Sequence, residues 1–392
     1  MANATLPAEC QDTTDSIPSS EGYGRARLWL GITAVGTLVT LATLGLALDV
    51  PGLSGPITDV SMTAQLISLF VYVLIYALVQ LRFDLLGGYF LPKRFGRFHP
   101  PLARYLVGLI RGIAVHATLL WLAAVAIMFA GRYGGISATV AVGMGMSLLL
   151  LIGRMSIASL VAPLQWTTTP PADDRIPMVL ARSSDEGFTG GVIGVFRARL
   201  HILPVKWQEV LGPERFEFAV ARRLLAVTTG SWWRGRFLSL VFTLTGFVVV
   251  AFLIGSERLG SASGTIEFSL WFSLWSFIGL LILPTLSRRG VMEIDDRALQ
   301  NGMSREMMQI TTLLLDRLQD SEPKRGALIE TIFHPIPSVR NRLDSSAKQP
   351  VVGYWDVART SVYLSLSGLS LLGRAVHCNC GRPSLWVMLP TD

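Results

Sequence analysis

The sequence predicts a mainly α protein, a polytopic membrane helical bundle carrying a small α/β domain on its cytoplasmic side. Three observations predict it. Of the 392 residues, 51% are hydrophobic and 16% are charged, whereas charged residues make up about a quarter of an ordinary soluble domain. Six runs, 28–48, 62–81, 105–130, 137–162, 237–255 and 265–285, approach the roughly 20 apolar residues that a helix needs to cross a bilayer. The loops between those runs alternate between basic and nearly charge-free, as they do when successive loops face opposite sides of a membrane.

The elements follow in chain order. Residues 1–27 form a polar tail containing Cys10, Ser19, Ser20 and Glu21. No small-residue cleavage pattern follows the first run, so it reads as a retained anchor, with a cleaved signal peptide as the alternative. The loop 49–61 has no Lys or Arg, whereas the next loop carries Arg82, Lys93, Arg94, Arg97 and Arg104. The third loop holds Arg132 and the fifth Arg258. Lys and Arg mark the cytoplasmic loops, so the N-terminus, the segment 163–236 and everything from residue 287 onward face the cytoplasm. The expected organisation is a four-span region (28–162), a first domain part (163–236), a membrane hairpin (237–286), a second domain part (287–346) and a C-terminal segment (347–392).

The formal charge of +7 raises the question of nucleic acid. The basic residues sit beside apolar runs and form no continuous stripe, so the partner they imply is the lipid bilayer. The three cysteines, Cys10, Cys378 and Cys380, make no disulfide framework.

Within 163–236, Thr169-Pro170-Pro171 reads as a linker. Strands are expected over 176–182 and 192–203, around the turn residues Asp185-Glu186-Gly187 and Gly190-Gly191. A helix starts after Gly212-Pro213, where proline in the first turn loses no hydrogen bond, and runs to 227 before Gly230 stops it. A second helical stretch, 294–318, places Met303, Met307, Ile310, Leu314 and Leu318 at helical spacing.

At that first helix the sequence resembles the HExxH membrane metallopeptidases, the family of the CAAX prenyl proteases and HtpX. The resemblance rests on an ordered set. Leu203-Pro204-Val205-Lys206-Trp207 leads into Pro213-Glu214-Arg215-Phe216-Glu217-Phe218-Ala219-Val220-Ala221-Arg222-Arg223-Leu224-Leu225-Ala226, which parallels the family's P-E-E-L-x-A-V-L-A-H-E-L-x-H. A membrane hairpin follows, then Ser287-Arg288-Arg289-Gly290-Val291-Met292-Glu293-Ile294-Asp295-Asp296-Arg297-Ala298 and finally His334-Pro335-Ile336-Pro337-Ser338-Val339-Arg340-Asn341-Arg342-Leu343.

The resemblance implies a multi-pass membrane protein of a bacterial cell with a metallopeptidase-like domain. The zinc motif, however, is degenerate. The family chemistry needs two histidines one helical turn apart to hold Zn2+ and a Glu between them to take a proton from bound water. Those places fall on Arg222, Ala226 and Arg223, and the third ligand, four residues before Asp296, falls on Met292. A guanidinium offers no lone pair and repels a dication, and a methyl group offers no donor. Independently of any alignment, none of the five histidines is followed by Glu and no two are four apart. Arg222-Arg223 then reads either as a solvated basic pair near the cytoplasmic face or as an anion site in the old cleft.

Other residues are candidates on their own chemistry. His377-Cys378-Asn379-Cys380 brings three soft-metal ligands, His377, Cys378 and Cys380, within four residues. A lone C-x-C lacks the second half of a structural zinc site, so a packed turn is the default. The run 362–372 is too short to span and is expected to lie in the interface or dock on the bundle. Arg111 and His116 lie within the third run, Arg111 close enough to its end to snorkel. Trp271, Phe272, Trp275 and Phe277 suit a lipid-facing or helix-packing surface.

The expected function is that of a catalytically inactive membrane metallopeptidase homologue, a pseudoprotease that binds a membrane protein, peptide or lipid in a retained cleft. No cofactor is implied on this reading. The alternative is an active zinc metalloendopeptidase with non-standard ligands drawn from Glu293, Asp296 and His334. A transporter is disfavoured, because the spans show neither paired broken helices nor acidic midplane residues.

Overall fold

The computed structural model describes residues 22–54, 61–169, 177–195, 198–345 and 352–388. Inside a bilayer no water satisfies the backbone, so apolar stretches must close their own hydrogen bonds as helices. Three such helices come first: α1 (Tyr23–Ala47), α2 (Met62–Leu85), which continues through a π turn to Arg94, and α3 (Leu102–Ile152). As a straight rod the 51 residues of α3 would be about 75 Å long, against a hydrocarbon core of about 30 Å. Gly135 breaks the helix at φ 58° and ψ −148°. Beyond the break the chain doubles back, because the Arg111 guanidinium donates to the carbonyls of Ser159 (2.7 Å) and Leu160 (2.8 Å). The two arms of α3 are thus the third and fourth apolar runs, joined at Gly134-Gly135 rather than by a loop.

The short helix α4 (Arg154–Val161) leads into β1 (Gln165–Thr169), β2 (Met178–Arg182), β3 (Gly191–Val195) and β4 (Ala198–Pro204). They form one sheet in the order β1-β2-β4-β3, with β2 parallel to β4 and the other neighbours antiparallel. The expected strand over 192–203 is therefore two strands of a hairpin. Thr169 belongs to β1, so the sheet has an edge strand where only a linker was expected, and Pro170-Pro171 lie outside the described residues.

α5 (Val205–Thr228) begins before the expected start, but Gly212 kinks it at φ 71° and ψ 171°, so Pro213 does open the second arm. α6 (Ser231–Ile254) and α7 (Ala262–Gln300) supply the last two apolar runs. α7 continues without interruption from the membrane into the domain. The expected helix 294–318 is divided: α7 ends at Gln300, Gly302 turns the chain at φ 85°, and α8 (Arg305–Gln319) restarts with the Ser304 hydroxyl accepting from the Met307 N–H. α9 (Ala327–Phe333), α10 (Val339–Ser345), α11 (Val357–Leu364) and α12 (Pro383–Val387) follow.

The segment 353–388 is buried almost throughout. Leu369, Leu371, Leu372, Ala375 and Cys380 join the same core as Leu38 of α1, Leu69 of α2 and Phe247 of α6. Of the two expected positions for 362–372, the docked one is realised. The helices make room by lacking side chains: a Cβ on Gly31 would lie 2.5 Å from His377, and one on Gly87 would lie 2.7 Å from the Cys380 carbonyl. The aromatic group divides, Phe272 packing inside on Phe247 and Phe268 while Trp275 stacks on Phe242. His116 lies between the rings of Tyr76 and Trp386.

Candidate functional site

The second arm of α5 packs on the C-terminal end of α7, and the two degenerate motifs face each other there. Arg222 is 3% exposed and Asp295 1%. The Arg222 Nε donates to Asp295 Oδ1 at 2.5 Å, while Arg342, on α10, donates to the same carboxylate through Nε (2.7 Å) and Nη2 (3.0 Å). One buried carboxylate thus bridges two buried guanidiniums, each drawn from a different motif of the resemblance. The inward acid is Asp295. Asp296, one residue on, points about 100° away around the helix and is only half-buried.

The remaining motif positions do structural work. Arg223, 1% exposed, donates to the carbonyls of Ile202 (2.9 Å) and Thr189 (2.5 Å) and lies over the Trp207 ring at 4.5 Å. It therefore fastens α5 to β4 and to the approach of β3. Ala226 packs with Val192, Trp232, Val291, Ile294 and Trp355 in an apolar core. Met292 is half-buried. The outer edge of β3 is buried and partly occupied as well, since the Val192 carbonyl accepts from Arg236 (2.6 Å) and Trp232 (3.4 Å).

Zinc of the family type does not fit these residues. The helix presents a guanidinium and a methyl group where two imidazoles are needed, and the nearby carboxylate is already bound to two guanidiniums that would repel a dication. Glu293 is engaged elsewhere: both its oxygens accept from Arg234 (2.8 and 2.7 Å), and one accepts from the Gly353 N–H (2.9 Å). It anchors the start of the C-terminal segment.

His334 groups with other residues than Glu293. Among the described residues, the metal-ligand side chains that converge are Asp320, His334 and His377: two histidines from separate sequence motifs, and an acid that belongs to neither. Burial, aided by Arg325, pushes the His334 imidazole well below its ordinary value. Burial likewise takes His377 to about 3, against the pull of Asp320. Burial alone would raise Asp320, but the Arg27 and Arg325 guanidiniums overcome it and hold the carboxyl far below the usual range. Both imidazoles are therefore neutral near pH 7 and face a carboxylate anion.

Cys378 and Cys380 do not converge on His377. Cys378 accepts from Arg359 at 3.2 Å, and Cys380 turns into the membrane core and donates to the Ala375 carbonyl at 3.2 Å. The default reading of a packed turn describes them.

A larger space lies where α3 leaves the domain. A cavity of about 740 Å³ is bounded by the start of α3, the turn after β2 and the C-terminal segment. Arg97, Arg104, Arg182, Lys206 and Arg382 line it with Asp185 and Glu186. Arg382 is tied to Asp185, whereas Arg104, Arg182 and Lys206 are exposed.

No protein-family model and no curated protein matches the sequence. Among solved structures, the crystal structure of S. mikatae Ste24p is similar, at a TM-score of 0.62 and 13% identity over 87% of this chain and 91% of that one. The chain therefore shares with Ste24p a fold in which a membrane helical bundle carries a small soluble domain.

Proposed function

We propose that the protein is a pseudoprotease: a membrane metallopeptidase homologue that no longer hydrolyses peptides and instead binds an anionic lipid head group at the cytoplasmic membrane surface. The observation that carries the loss of catalysis is the Arg222–Asp295–Arg342 network. It sits where the two degenerate motifs meet and sets two guanidiniums, which carry no lone pair and repel a dication, at the place where the family chemistry needs imidazoles. The fold shared with Ste24p is the one that the sequence resemblance to the CAAX prenyl proteases implies, so a metallopeptidase ancestry and the cytoplasmic orientation of the domain belong to the same reading.

The ligand is argued from the cavity beside α3. Its five cations outnumber its two acids, and Tyr105, Leu109 and Leu164 supply apolar wall beside them. Guanidinium and ammonium groups at the cytoplasmic surface attract lipid phosphates and pair with them through charge-assisted hydrogen bonds.

The test is made on full-length protein in nanodiscs. Membrane peptides should stay intact, and native mass spectrometry should show retained anionic phospholipid in preference to a zwitterionic one. Arg104→Glu combined with Arg182→Glu should weaken that retention at least about tenfold, since two charge reversals replace attraction with repulsion at two points of the wall. Peptide cleavage abolished by Glu293→Gln would establish the alternative enzyme instead.

A further inference from the structure

Two imidazoles and one carboxylate meet beneath the C-terminal segment, brought there by three stretches far apart in sequence. Asp320 ends α8, His334 follows α9, and His377 lies between α11 and α12. One ligand atom of each lies within 4.8 Å of the others. The imidazole rings are 5.1 Å apart between centroids and inclined at 57°, so they are not stacked face to face. His334 is 3% exposed, and its Nε2 is buried without a hydrogen-bond partner. Beside these residues is a space of about 30 Å³, where a single water or ion needs about 10–15 Å³.

We infer that Asp320, His334 and His377 bind one Zn2+ ion, with water as the fourth ligand. Two nitrogens and one carboxylate oxygen are a donor set that zinc accepts, and the fourth position is commonly water. Tetrahedral zinc with bonds near 2.1 Å sets its donors about 3.4 Å apart, so the three side chains close inward by small rotations on binding. The ion would give the orphaned His334 Nε2 its partner.

Five guanidiniums line this space: Arg27, Arg325, Arg342 and Arg382 each face a carboxylate, which offsets part of the repulsion a cation would meet, and Arg359 donates to Cys378 Sγ. Arg325 faces Glu322 (3.6 Å) as well as Asp320 (3.4 Å), Arg342 is held by Asp295, and Arg382 by Asp185. Arg27 shares Asp320 at 3.1 Å and gives its other N–H to the His377 carbonyl at 3.1 Å. Each Asp320 oxygen has two acceptor sites, which leaves capacity for a metal bond beside these ion pairs.

The consequence is a clamp. Metal at this point ties the C-terminal segment to α8 and to the turn after α9, and it does so through residues other than those at the degenerate motif positions Arg222 and Ala226, without any role in peptide hydrolysis. It would hold whether or not the cavity beside α3 binds lipid.

Full-length protein in detergent is stripped with chelator, reloaded with Zn2+ and dialysed. Wild type should retain about one zinc per chain by elemental analysis and melt at a higher temperature when loaded. Co2+ in its place should give the visible bands of a four-coordinate ion without a thiolate charge-transfer band. His334→Gln and His377→Gln keep a polar side chain of similar size and should each lower zinc affinity at least a hundredfold, whereas Glu293→Gln should retain the metal. Wild type that holds no zinc, or zinc lost with Glu293→Gln but kept with His377→Gln, would overturn the assignment. Should a histidine variant fail to fold, the Co2+ spectrum of wild type decides alone: a thiolate band or an octahedral spectrum rejects the site.

Discussion

Asp84 on α2 and Arg374 on the C-terminal segment form an ion pair that solvent does not reach, the carboxylate being 0% and the guanidinium 1% exposed. The Gly381 N–H adds a second donor to Asp84 at 2.8 Å, and the Arg374 guanidinium lies 4.4 Å over the Trp386 ring. The pair therefore fixes both the depth and the orientation of the inserted segment. Removing one partner of a buried pair strands the other charge, which costs about 3–5 kcal/mol. Asp84→Ala should accordingly abolish the monodisperse peak in detergent or lower the melting temperature by more than ten degrees. The double variant Asp84→Ala/Arg374→Met should recover part of that loss. If the double variant is no better than the single one, the pair is not what seats the segment.

The Arg222–Asp295–Arg342 network makes a graded prediction. Asp295→Ala leaves two buried guanidiniums without their shared anion and should destabilise by about 3–5 kcal/mol. Arg222→Met or Arg342→Met leaves Asp295 one good partner and should cost about 1–3 kcal/mol. Urea or thermal unfolding of the three variants should rank them in that order; equal losses would mean that the two arginines do not share the carboxylate.

How far these features were legible differs by kind. The crossings were readable because lipid demands long apolar runs, and even the hairpin inside α3 showed as two runs flanking Gly134-Gly135. The inserted segment was readable in part: docking of 362–372 on the bundle was one of two positions its apolar run allowed, whereas burial of the rest of 353–388 also needs notches such as Gly31 and Gly87 in distant helices. Arg222 and Arg223 were visible through motif spacing, but their burial was not. The choice between Asp295 and Asp296 turns on helical phase, where one residue is worth about 100°. Asp320 sits in the run Asp320-Ser321-Glu322, which looks like solvated surface, and its nearness to two histidines is purely tertiary.

Rebuilding the family motif should fail. Arg222→His, Arg223→Glu and Ala226→His together would supply the missing ligands in name. Yet Glu at 223 would replace a donor to the Ile202 and Thr189 carbonyls with an anion, and His at 226 would force a polar ring into the core shared with Trp232 and Trp355. Either change costs several kcal/mol, through unpaired buried carbonyls or overpacking, at about 1–3 kcal/mol for each defect. The triple variant should therefore be unfolded or aggregated by size-exclusion chromatography. A folded triple variant that cleaves peptides would show that the cleft is more adaptable than its packing implies.

Asp316 on α8 is an acid that should make stability depend on pH near neutrality. Burial raises its carboxyl from 3.8 to about 7, against the opposing pull of Arg325. The folded state thus keeps a proton that the unfolded chain releases at 3.8. The stabilising contribution is complete below that value and is lost as pH rises through about 7, at about 1.4 kcal/mol for each pH step between the two. Asp316→Asn is neutral at every pH and its amide oxygen can still accept from the Glu322 N–H. The variant should match wild type near pH 4 and become progressively more stable than it toward pH 8. Melting curves at pH 4.5, 6 and 8 test the sign directly. Curves that stay parallel would place the Asp316 titration outside this window, while a variant that weakens as pH rises would mean that the ion pair with Arg325 outweighs burial.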